Sequence, residues 1–248
     1  MRFENKVVII TGANTNFGKE ISVQFILEGA SVVLVGKNED KLNSLKRICD
    51  AKKDDDTQPA FVIKADLTQD DEVTNVISQT KQKFGKINIL INNAEIVREG
   101  RLTDDSVLDS FDDVMSINLR AVVAITTSAA PHLIKTKGNI VNISSVGAER
   151  ILGNNHIAYF ISKAGLNHFT RACAMELGKK GVRVNTVSVG ATSGSYSYSK
   201  SIDTHIDPEE VAELVLHAAS KKSKGITGSN LVNDCGNLVA YVDDWKNY

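Results

Sequence analysis

Charge of one sign is the first thing this sequence lacks. Its 29 Lys and Arg nearly balance 30 Asp and Glu, for a formal net charge of −1. Such a balance gives no electrostatic reason to expect nucleic acid or an anionic membrane as a partner. Cysteine is scarce too. Cys49, Cys173 and Cys235 are odd in number, far apart and without a C-x-x-C pair, which argues against a disulfide frame or a zinc site and fits isolated thiols in a reducing compartment. The five histidines show no metal-ligand spacing, so no metal centre is expected. No apolar run reaches the length of a membrane span, and Met1-Arg2-Phe3-Glu4 does not open a signal peptide. The expectation is a soluble, cytoplasmic protein. The chain has 248 residues, 42% apolar and 24% charged, which suits one α/β domain with a sizeable core or two small ones.

What is present alternates. The apolar, β-branched run at 6–10 (KVVII) predicts a strand buried on both faces. A turn bearing Gly12, Asn14 and Thr15 follows, then a helix at 17–28 and a second strand at 31–35. This is a β-α-β unit whose glycines let backbone approach a pyrophosphate at a helix N-terminus. Further strands are expected at 60–64, 87–91, 139–143, 182–187 and 230–233. Helices are expected at 70–84, 104–133, 157–177 and 208–220, with the charged run 52–56 as a solvated loop. The segment 191–204, rich in Ser, Gly and Tyr, has no periodicity and reads as a mobile loop. The pattern predicts an α/β fold with a single doubly wound parallel sheet and helices on both faces, without a domain linker.

Candidate chemistry gathers at strand ends. Where an NAD-specific unit has a carboxylate after its second strand, this chain has Lys37. A cation there can pair with a 2′-phosphate, which favours NADP(H) over NAD(H); the bland alternative is a solvated helix-start lysine. Gly12, Lys37, Asp66, Asn93, Ser145 and Gly190 all follow strands, so they share the sheet edge where ligands sit. Tyr159 and Lys163, four apart, lie one above the other on a helix. An ammonium beside a phenol stabilises phenolate, as a tyrosine acid/base requires, although surface helices also carry this pair by chance. Asn118, a poor helix former inside a helical region, marks either a local distortion with a polar network or a plain surface asparagine.

With these residues in place, the chain resembles the short-chain dehydrogenase/reductase family over essentially its full length. The matches are T-G-x-x-x-x-x-G at 11–18, D-L at Asp66-Leu67, N-N-A at 92–94, I-N at 117–118, I-V-N-I-S-S at 140–145, Y-x-x-x-K at Tyr159 and Lys163, V-R-V-N at 182–185 and I-T-G-x-N-L at 226–231. Within the family it is similar to 3-oxoacyl-acyl-carrier-protein reductases with a shortened substrate lid. The resemblance implies a Rossmann domain over 1–248 that reduces a carbonyl or oxidises a secondary alcohol. Tyr159 would serve as acid, Ser145 would hold the substrate oxygen, and Lys163 would tune the tyrosine and bind the nicotinamide ribose. Asn118 would anchor a water. Cofactor contacts would fall to Gly12, Asn14, Thr15, Phe17, Gly18, Lys37, Asp66, Leu67, Asn93, Ala94, Tyr159, Lys163 and Gly190. Ser145 is preferred to Ser144 because its interval to Tyr159 is one residue longer than the family's usual one, and Ser144 fits worse. The resemblance also implies a homotetramer or homodimer built through the helices at 104–133 and 157–177.

Four departures stand against the pattern. Asn16 occupies the place of the family's middle glycine, Glu95 replaces the glycine of N-N-A-G, and Val189 replaces the usual proline, with the following threonine moved to Thr192 or lost. Only 17 residues lie between Gly190 and Pro208, which implies a short lid at about 191–207 and an open site. Hence a second reading, a catalytically weak or inactive regulatory protein that binds a dinucleotide. The sequence names no substrate.

Overall fold

The computed structural model describes residues 1–54, 56–103, 105, 107–151, 155–190, 206–236 and 238. The expected lid residues 191–205, Thr192 among them, lie outside the described residues, as do Asp104 and Asn154.

Seven parallel strands form one sheet in the order β3-β2-β1-β4-β5-β6-β7. They are β1 (Val7–Thr11), β2 (Ser31–Gly36), β3 (Phe61–Lys64), β4 (Ile89–Asn92), β5 (Asn139–Ser145), β6 (Arg183–Val189) and β7 (Asn230–Asn233). The run at β1 is apolar without alternation because both of its faces are covered. Val8 and Ile10 enter one core with Ile21, Phe25, Leu42, Val211 and Val215. Val7 and Ile9 enter the other with Val73, Val76, Ile125, Leu133 and Leu177. The first core lies under helices α1 (Asn16–Leu27), α2 (Glu39–Lys52) and α7 (Pro208–Ala219). The second lies under α3 (Asp70–Phe84), α5 (Ala121–Thr136) and α6 (Ile157–Gly178). The strand order reverses between β1 and β4, which opens a crevice outside their carboxyl ends.

Two elements differ from the sequence reading. Helix α2 fills the interval after Lys37: Asn38 caps it by accepting from the Lys41 amide at 2.9 Å, and Leu42, Leu45 and Cys49 bury one stripe. It carries Lys52, which the sequence reading placed in a loop. The helix expected at 104–133 is composite. It consists of α4 (Val107–Met115), a π-helical turn at Ser116–Arg120, and α5. The stretch Val107–Thr136 is, by length and composition alone, long and apolar enough to cross a membrane. Here α5 packs on α3 while α4 packs on α6, the placement of a helix that covers a sheet.

Candidate functional site at the carboxyl edge of the sheet

The turn after β1 is set by close approach. Gly12 has φ +60°, and a Cβ there would stand 2.7 Å from the Ala94 Cα; a Cβ on Gly18 would stand 2.2 Å from the Gly12 carbonyl oxygen. Both positions therefore require glycine, and together they leave a cradle of bare backbone at the start of α1 that suits a phosphate. Thr15 caps α1 through the Gly18 amide at 3.2 Å. Asn16 is the first residue of that helix and is exposed. Its φ is not positive, so the missing middle glycine costs the turn no strain. Phe17 turns its ring against the core.

Asn93, expected as a cofactor contact, has its side chain committed to the turn. Its Nδ2 donates to the carbonyls of Thr11 at 3.0 Å and Gly12 at 2.9 Å and to the Thr15 hydroxyl at 3.1 Å. The Thr11 hydroxyl accepts from the amides of Asn93 at 3.0 Å and Ala94 at 3.1 Å. The end of β4 thus fastens the glycine turn from the neighbouring strand.

Beside the turn lies a cavity of about 220 Å³ lined by Gly12, Asn14, Lys37, Asp66, Leu67 and Glu95, among others. Lys37 reaches across to pair with Asp66 at 2.9 Å. Burial works to raise the Asp66 carboxyl, but the Lys37 ammonium and the Thr68 amide and hydroxyl outweigh it and hold the group below the ordinary aspartate range. Since both partners keep solvent access, the pair is weak and Lys37 can turn to another anion.

The second cluster stands on α6 and β5. Lys163 is almost fully buried and donates to the Ile143 carbonyl at 2.9 Å. Its ammonium lies 5.5 Å from the Tyr159 ring centroid. Ser145, at the end of β5, accepts from the Gly147 amide at 3.0 Å and is only half-buried. Ser144 points the other way: it is buried, with its hydroxyl donating to the Lys163 carbonyl at 3.5 Å.

Asn118 sits in the π-turn, 1% exposed. Its Oδ1 accepts from the Ile96 amide at 2.8 Å, and its Nδ2 donates to the Ile96 carbonyl at 2.9 Å and to the Ser162 hydroxyl at 3.3 Å. Of the two readings left open, the structure takes distortion with a polar network. Gly190 ends β6 with its amide on the Asn233 carbonyl at 2.9 Å, and a Cβ there would meet the Asp234 Cα at 2.8 Å.

Glu95 joins the two clusters. The sequence pattern marks it only as a carboxylate in place of the glycine of N-N-A-G. Its Oε2 lies 2.5 Å from the Lys163 ammonium and receives a long 3.4 Å contact from the Tyr159 hydroxyl. Sequence reasoning also missed a buried polar file across the sheet. Asn92 donates to Asn142 at 2.8 Å, Asn142 to Thr170 at 2.8 Å, and Thr186 also to Thr170 at 2.8 Å. The only signal for it was polar residues on strands otherwise apolar.

Comparison with known proteins bears on the family and the fold. Residues 12–237 match the family model described as enoyl-(acyl carrier protein) reductase. The chain is 33% identical to the 3-oxoacyl-[acyl-carrier-protein] reductase FabG of Thermotoga maritima, covering 96% of this chain and all of that one. A short-chain dehydrogenase/reductase of unknown function from Caenorhabditis elegans, solved with cofactor, superposes with a TM-score of 0.87 at 30% identity, covering 96% of this chain and 97% of that one. A short-chain dehydrogenase from Burkholderia cenocepacia in complex with NADP gives a TM-score of 0.87 at 28% identity, covering 96% and 100%.

Proposed function

The chain belongs to the short-chain dehydrogenase/reductase family and is an oxidoreductase that interconverts C–OH and C=O with NAD(P); from that footing we propose that it reduces a small-molecule carbonyl with NADPH, using Tyr159 as the acid. The single observation that carries this reading is the convergence, on one sheet edge, of a glycine cradle, a cation beside it and the Tyr159–Lys163 pair.

The residues present fit the adenosine end of such a cofactor. The bare backbone at Gly12 and Gly18 leaves the room a pyrophosphate needs. Asp66, Leu67 and Ala94 line the same cavity as Lys37, and Lys37 supplies the cation that suits a 2′-phosphate. The Burkholderia cenocepacia relative was solved with NADP, which supports the same preference. When bound, the nicotinamide supplies or accepts the hydride.

The protein's own part is proton handling and orientation. Tyr159 gives its hydroxyl proton to the carbonyl oxygen as the alcohol forms. Lys163, held by the Ile143 carbonyl, keeps an ammonium beside the phenol and so favours the phenolate left behind. Ser145 steadies the substrate oxygen by hydrogen bond. Asn118 acts as a positioning residue that fixes the Ile96 backbone. We assign residues 1–248 to one dinucleotide-binding domain with a substrate loop at about 191–207. Assembly into a homodimer or homotetramer is supported by apolar residues left exposed on α4 to α6: Leu108, Val123, Ile161 and Met175.

Tyr159→Phe tests the assignment. Turnover of a carbonyl substrate should fall at least a hundredfold while NADPH titration stays as in the wild type. Wild-type turnover in that variant overturns it.

A further inference from the structure

We propose that Glu95 is a built-in competitor for the ribose site of the cofactor: its carboxylate occupies the Lys163 ammonium until the diol of the nicotinamide ribose replaces it. The inference rests on the nucleotide reading above and adds a property that the glycine of the family pattern does not provide.

Three observations carry it. First, Glu95 is in the path. It lines the cavity with Gly12, Lys37 and Asp66, and the same side chain reaches Lys163 and Tyr159. A ligand seated on the glycine turn and extending to Tyr159 has to pass it.

Second, the contact has one fixed and one movable partner. The Lys163 side chain is 2% exposed against 34% for Glu95, and the ammonium is also held by the Ile143 carbonyl. The backbone on either side of Glu95 is pinned. The Ala94 amide is held by the Thr11 hydroxyl, and both polar groups of the Ile96 backbone are held by Asn118. Release is therefore confined to the torsions of the Glu95 side chain, which has solvent to move into.

Third, the exchange leaves the ammonium supplied with acceptors. A buried ammonium needs an acceptor. Glu95 provides it in the nucleotide-free protein, and neutral ribose oxygens can provide it in the complex. The carboxylate also faces the approach of an anionic ligand, so its departure removes a like charge. The predicted effect follows from population: if the released state is about one-tenth populated, the apparent dissociation constant is about tenfold weaker than the intrinsic one.

The test is titration of NADPH fluorescence in the wild type, Glu95→Ala and Glu95→Gln, with adenosine 2′,5′-bisphosphate as a second probe that lacks the nicotinamide ribose. Glu95→Ala should bind NADPH about tenfold tighter and Glu95→Gln severalfold tighter, while the bisphosphate changes less than twofold. The nucleotide-free melting temperature of Glu95→Ala should drop, because Lys163 loses its counter-charge. Higher affinity in a less stable protein is a combination that a merely structural glutamate does not give. Weaker NADPH binding in Glu95→Ala would make Glu95 a ribose ligand and overturn the competitor. Equal tightening of both probes would make it a general repulsive charge and overturn it as well. Equal NADPH constants across the three proteins overturn the competitor and leave the oxidoreductase reading standing. Absence of NADPH and NADH binding in wild type and Glu95→Ala alike overturns both.

Discussion

Replacing Asn118 by Ala removes three hydrogen bonds at one stroke, and the structure sets the scale of the loss. Two of them, at 2.8 and 2.9 Å, close on the amide and carbonyl of the same residue, Ile96. The third reaches the Ser162 hydroxyl at 3.3 Å. A buried polar group left without a partner costs about 1–3 kcal/mol. Ile96 is half-buried, so water can replace part of what is lost, and about 2 kcal/mol is the reasoned total. For a chain of this size that corresponds to a fall in melting temperature of roughly 4–8 °C. Equilibrium urea unfolding followed by circular dichroism, with reversibility checked, measures it directly. Asn118→Asp sharpens the result: it keeps the acceptor for the Ile96 amide but sets a carboxylate against the Ile96 carbonyl, so it should destabilise by a similar amount. A loss below about 0.5 kcal/mol for Asn118→Ala, within the range of an ordinary surface change, would refute the claim that this side chain holds the loop between β4 and α4.

Two further outcomes follow from charged pairs. Lys37→Ala should weaken NADPH binding about tenfold more than NADH binding, measured by titrating both; equal losses would sink the 2′-phosphate assignment. At the amino edge of the sheet, Arg2 bridges Glu28 at 2.8 Å and Glu213 at 2.5 Å. For Glu28, burial pushes the carboxyl up but the Arg2 contacts prevail; for Glu213, the Arg2 hydrogen bond leads; both end below the ordinary glutamate range. Groups depressed on folding stabilise the protein above the ordinary range and lose that contribution as pH falls through the folded value. Wild type should therefore lose more stability than Arg2→Ala between about pH 5 and pH 3, and parallel curves would count against the pairing.

Much of this architecture was legible because buried parallel strands leave a plain trace. The unbroken apolar runs at β1 and β2 and the glycines at 12 and 18 follow from burial and close approach, which act on local sequence. Helix α2 went unread because its stripe is thin, with Leu42, Leu45 and Cys49 the buried residues of a mainly charged segment. Asn16 was weighed as a defect of the turn, yet it lies inside the helix, where no left-handed backbone is needed. Glu95 shows the limit most clearly. Its place in the pattern was evident, but its partner, Lys163, is 68 positions further along the chain, and only the packing of α6 beside the end of β4 brings them together. The same holds for Asn118, whose two alternatives differ by burial alone.

The π-helical turn at Ser116–Arg120 also constrains how this chain can change length. Such a turn bonds i to i+5 and holds a residue more than an α-helical one. Deleting one residue there would let α4 and α5 run on as a regular helix with nearly the same phase, because the wide turn absorbs its extra residue locally. The packing of α4 on α6 and of α5 on α3 would survive, but the wide turn that sets Asn118 against Ile96 would be gone. The extra residue in the middle of this helix thus serves the seat of Asn118 and not the course of the helix.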